Sequence, residues 1–104
     1  MSTSSETAAS RVRLVAAVQS LLVDEDIRRP TTSKVAKIAG VAVGTIYNHF
    51  IDIDDLVAVA VADLMGGDLS ALGERLYQQA RDRRPGVVEH LERELALRGQ
   101  GRLR

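Results

Sequence analysis

Residues 31–50 read Thr31-Thr32-Ser33-Lys34-Val35-Ala36-Lys37-Ile38-Ala39-Gly40-Val41-Ala42-Val43-Gly44-Thr45-Ile46-Tyr47-Asn48-His49-Phe50. Pro30 disfavours helix in the residue ahead of it, and the Thr31 hydroxyl can accept from an orphan amide of the turn that follows. A helix is therefore expected over Thr32–Ala39, with Thr32, Val35, Ala36 and Ala39 on one face and alanines small enough for a second helix to come close. Gly40 falls just past that face, where a left-handed residue ends a helix at little cost. After Val41 a further short helix is expected over Val43–His49. Val43, Ile46, Tyr47 and Phe50 make its apolar side, and Gly44, Thr45 and Asn48 fall opposite. Helices this short are marginal alone, so the pair needs a platform.

The flanking sequence supplies one. Leu14, Val15, Val18, Leu21 and Leu22 recur at three- and four-residue spacing and predict a first helix over Ser10–Asp24. Downstream, Asp52 is placed to cap a helix over Ile53–Met65, with Asp54 and Asp55 favourable to its dipole, and Gly66-Gly67 ends it. A fifth helix is expected over Leu69–Arg81 (stripe Leu69, Leu72, Leu76, Tyr77, Ala80). A turn at Arg83-Arg84-Pro85-Gly86 follows, then a sixth helix over Val87–Arg98 with Val88, Leu91 and Leu95 inward. Met1 to Ala9 is polar and reads as a disordered arm, and the end of the chain to Arg104 as a frayed tail. With no strand signal and no internal repeat, the chain reads as all-α. Its expected parts are an arm (1–9), a helix-turn-helix domain (10–65) and a short helical C-terminal segment (66–104).

Composition narrows the chemistry. The chain has 104 residues, 45% of them apolar, which suits one packed domain. Its aromatics are Tyr47, Phe50 and Tyr77, so the core must be aliphatic. There is no cysteine, which excludes disulfides and thiolate metal sites and makes a reducing cytoplasm the expected compartment. No apolar run approaches the ~18 residues of a membrane span. His49 and His90 stand far apart in sequence, so no metal or other cofactor is expected. Without a nucleophile elbow, P-loop or dinucleotide fingerprint, neither is an enzyme. Net charge is zero but uneven. Residues 1–50 sum to +2 (six basic, four acidic), residues 51–74 to −6 and residues 75–104 to +4. Such a sum neither supports nor excludes a nucleic-acid partner.

From Leu14 to Leu56 the string resembles the TetR family of transcriptional regulators. The paired apolar residues Leu14-Val15, Ala17-Val18 and Leu21-Leu22, the turn Ala39-Gly40-Val41, the run Gly44-Thr45-Ile46-Tyr47 and the closing His49-Phe50 carry the likeness. The resemblance implies a homeodomain-like three-helix DNA-binding domain with a helix-turn-helix, followed here by a fourth helix and two short C-terminal helices. It also implies sequence-specific binding of double-stranded DNA, repression by occupying an operator, and a homodimer. On that reading Val43, Gly44, Thr45, Tyr47, Asn48 and His49 meet DNA from the recognition helix, and Thr32, Ser33 and Lys34 from the helix before it. The physics agrees. An α-helix fits the major groove, where the threonine hydroxyl and methyl suit a base edge and an Asn amide pairs with adenine. Gly44 leaves room for close backbone approach.

Several residues depart from the family pattern. Ala42 stands where a capping serine is usual, Val43 where a polar or basic residue is frequent, Ile53 where a lysine commonly meets phosphate, and Asp26 where a glycine follows the first helix. Ala42, Val43 and Ile53 favour a rival reading, a helical protein-interaction module with weak or no DNA binding. The family's longer C-terminal domain encloses an inducer, and two short helices are not expected to enclose one. They are instead expected to pair two copies through Leu69, Leu72, Leu76 and Tyr77, and through Val88, Leu91 and Leu95.

Overall fold

The computed structural model describes residues 3–99. They form six helices: α1 (Thr3–Leu22), α2 (Thr32–Ala39), α3 (Val43–His49), α4 (Ile53–Met65), α5 (Ser70–Arg83) and α6 (Pro85–Leu97). The all-α class and the order of elements are as expected.

The boundaries follow local chemistry. Thr31 is extended, and its side chain accepts from the Lys34 amide at 3.3 Å. Gly40 ends α2 at φ 73°, with the Val41 N–H donating to Ala36 O and the Gly40 N–H to Lys37 O. This is the pair of bonds that closes a helix through a left-handed residue. Ala42 leads α3 with no side-chain cap, and Asp52 caps α4 by accepting from the Asp55 amide at 2.8 Å.

Three expectations are corrected. The arm assigned to residues 1–9 is helical over 3–9, because neither glycine nor proline interrupts the chain before Gly40 except at Pro30, well beyond α1. Met1, Ser2 and the tail from Gln100 to Arg104 lie outside the described residues. Next, α1 stops at Leu22, where Glu25 turns left-handed at φ 59° and its N–H donates to Leu22 O. Finally, α5 and α6 are separated by Arg84 alone, and Pro85 starts α6 instead of lying in a turn. Proline has no N–H to leave unpaired in a first helical turn.

α4 is the centre of the molecule. Leu56, Val57, Ala58, Val59, Ala60, Val61, Ala62 and Leu64 are all buried, the pattern of a helix covered on every side. It packs against α1, α5 and α6, while α1 also packs against α2 and α3. Leu14, Val18 and Leu22 of α1, Val35 of α2 and Ile46 of α3 are buried in the same cluster as Leu76, Val87, Leu91 and Leu95 of the last two helices. The C-terminal stripes are therefore covered within one chain. Leu76, Tyr77, Leu91 and Leu95 are buried, Leu72 and Val88 are partly buried, and of the residues expected to await a second copy Leu69 alone is largely exposed. That cover comes from α4, whose apolar face the sequence pattern of α5 and α6 does not reveal.

The α4–α5 crossing depends on Gly73. A Cβ built there would stand 2.6 Å from Met65 Cγ, 2.8 Å from Met65 N and 3.0 Å from Met65 Cα. Backbone cannot yield as a side-chain tip does, so Gly73→Ala should lower stability by ~1–3 kcal/mol. Urea unfolding checks it, and a gain from alanine's better helix propensity would refute the close approach.

Candidate nucleic-acid interface

Two buried anchors seat α3. Ile46 has no solvent exposure and Phe50, just past the helix end, is 5% exposed. The Phe50 N–H donates to Ile46 O at 2.9 Å, which fixes the ring relative to the helix. Ile46 is the buried residue of α3. The apolar side expected for this helix is thus only half used: Val43 and Tyr47 remain 42% and 54% exposed.

The nine residues expected to meet DNA lie on α2 and α3 and none is buried. Ser33, Lys34, Val43, Gly44, Tyr47 and Asn48 are exposed, and Thr32, Thr45 and His49 are half-buried. Gly44 is informative because nothing inside the chain requires it. Its φ is not positive, and a Cβ there would meet no atom within 4 Å. Its lack of a side chain serves neither the backbone turn nor the packing. Ile53, where the resemblance implies a lysine, packs against the edge of the core.

Ion pairs link the unevenly charged blocks. Arg84 pairs with Asp54, and Arg98 with Asp63 and Glu94. The His90 ring lies 3.5 Å from an Asp52 oxygen and 3.9 Å from one of Asp55. The acidic block of 51–74 thus faces the basic C-terminal block across the α4–α6 packing. Between the first two helices, Asp26 accepts from the backbone and side chain of Arg28, and those bonds hold its carboxyl below the usual carboxylate range. Among the described residues, Arg11, Arg13, Lys34 and Lys37 on α1 and α2 have no carboxylate at ion-pair distance. The uncompensated positive charge of these helices borders α3.

Two features escaped the sequence reading. Arg84, expected in a turn, is largely buried and donates to Asp54, Ile27 O and Pro30 O. Arg11 lies over the Phe50 ring, 5.1 Å from its centroid. No spacing rule joins residues 84 and 54, or 11 and 50, so neither contact had a signal in the chain. A groove of about 270 Å³ opens between α1 and α2, lined by Arg13, Ala16, Ala17, Ser20, Ile38 and Ala39; it is open to solvent.

Residues 14–60 match the family model of the bacterial regulatory proteins of the tetR family. They are a TetR-family helix-turn-helix domain. The match takes in α2 and α3 whole, with the C-terminal part of α1 from Leu14 and α4 as far as Ala60, and stops before α5. No curated protein and no solved structure matches the chain. The TetR-family match makes this a domain of DNA-binding transcription regulators. Among the described residues no helix is long and apolar enough to cross a membrane.

Proposed function

We propose that the chain binds double-stranded DNA sequence-specifically and represses transcription by occupying an operator, with α3 in the major groove. The observation that carries this is the outer surface of α3. On a helix anchored by Ile46 and Phe50, Val43, Gly44, Thr45, Tyr47, Asn48 and His49 all remain accessible, and Gly44 lacks a side chain for no internal reason. In this reading Thr45 and Asn48 read base edges, while Tyr47, His49, Thr32, Ser33 and Lys34 fix register on phosphates.

Selection of bound duplexes from a random pool at low salt tests the proposal. A recovered consensus supports it, and an unenriched pool refutes it. On that consensus, Thr45→Ala and Asn48→Ala should each lose ~1–3 kcal/mol of discrimination. Lys34→Ala should weaken all duplexes about equally. Parent-like specificity in both α3 variants would remove that helix from the reading role.

One helix-turn-helix spans few base pairs, and specific binders of this kind pair across half-sites one helical turn apart. We extend the proposal to a homodimer on that ground. The double substitution of Leu72 and Leu76 by glutamate would not test it, because Leu76 is buried within the chain. Light scattering of the intact chain with and without its consensus duplex does; one protomer per duplex would refute it.

A further inference from the structure

We infer that Arg11 of α1 is a phosphate-binding residue held ready by Phe50, so that the DNA-contacting surface extends beyond the helix-turn-helix onto the first helix. This rests on the DNA-binding reading above.

The guanidinium lies over the face of the Phe50 ring, 5.1 Å from its centroid. Such a cation–π contact holds the side chain in place, and a guanidinium carries five N–H donors with which it can engage a phosphate through two parallel bonds. Among the described residues no carboxylate pairs with Arg11, in contrast to Arg75, Arg84, Arg93 and Arg98, each of which has one. The charge is therefore available to a partner from outside.

Its position is set by the recognition helix itself. Phe50 is the residue that ends α3, its N–H bonded to Ile46 O, and its ring stands 6.2 Å from that of His49, centroid to centroid. Arg11 is thereby tied to the C-terminal end of α3, next to the His49 already assigned to phosphate. Because Phe50 is 5% exposed and anchored in the core, the stack also limits the rotamers of a long, exposed side chain. Less conformational freedom is then lost when a phosphate arrives.

The test uses the full chain and the consensus duplex, with the salt dependence of affinity as the readout. Arg11→Gln should lower the slope of log K against log salt by about 0.9 per bound protomer. Affinity at low salt should fall about tenfold, equally for consensus and scrambled duplexes. Arg11→Lys keeps the charge but not the flat fork, so it should restore the slope and only part of the affinity. Circular dichroism should be unchanged for both, since the side chain is exposed. If the parent binds and Arg11→Gln matches it in slope and affinity, this inference falls while the DNA-binding reading stands. If Arg11→Gln loses discrimination between duplexes instead, Arg11 is not a phosphate contact. A parent chain that binds no duplex overturns both.

Discussion

A chain ending at Gly67 should lose the native state altogether, although it would retain the whole segment matched by the family model. The reason lies in α4. Its residues from Leu56 to Ala62 are buried without interruption, and truncation removes α5 and α6, which supply much of their cover. It also discards Leu76, Tyr77, Val87, Leu91 and Leu95, all buried in the intact chain. At ~1.5–3 kcal/mol for each large apolar side chain, the loss is on the order of 10 kcal/mol, as large as the whole stability of an ordinary domain. Far-ultraviolet circular dichroism and thermal melting of the two chains side by side check this. A truncated chain that melts cooperatively near the temperature of the intact one would show that the helix-turn-helix stands on α1 and α4 alone.

How far the sequence disclosed this arrangement depends on the range of each interaction. The caps at Thr31 and Asp52 and the left-handed Gly40 rest on bonds within a few residues, so their residue types announce them, and α2, α3 and α4 begin and end where expected. The inward pair Ile46 and Phe50 was visible as periodicity, but so were Val43 and Tyr47, which stay exposed. Periodicity gives the direction of a face and not how much of it a neighbour covers. The burial of Leu76, Leu91 and Leu95 against α4, and the tight crossing at Gly73, depend on contacts between distant segments. Glycine at 73 carried no sign in the sequence that a methionine backbone lay against it. The nine candidate DNA contacts were legible as a motif, and the structure adds that each is accessible. Arg11 was not legible, because a lone arginine before an apolar stripe looks like any solvated charge until the ring beneath it is seen.

Replacing Arg84 with alanine should cost about 3 kcal/mol, the largest effect expected of any single charged residue here. Arg84 is the whole connection between α5 and α6, and its side chain is 16% exposed. Nε donates to Asp54 Oδ1 at 2.8 Å, and Nη1 donates to Ile27 O at 3.0 Å and Pro30 O at 2.7 Å. Ile27 and Pro30 are buried, so removing the cation strands two main-chain carbonyls and a partly buried carboxylate. There is little room for substitutes nearby, since even a Cβ at Gly86 would collide with the Asp54 side chain. Other bonds hold the same loop from α5: the Ile27 N–H donates to Gln79 Oε1 at 3.0 Å, and Arg75 pairs with Glu25 at 2.7 Å. The loop they fix delivers Thr31 to its capping position on α2, so the last two helices help to set the first half of the helix-turn-helix. Arg84→Lys should recover only part of the loss, because an ammonium cannot span the three acceptors in one plane. A double-mutant cycle with Asp54→Ala separates the pair from the carbonyls. The two substitutions should fall short of additivity by at least about 1 kcal/mol, with a residual cost to Arg84→Ala that persists when Asp54 is already gone. Strict additivity, or a cost for Arg84→Ala no larger than that of an exposed arginine, would show that the clamp does not hold the loop in solution.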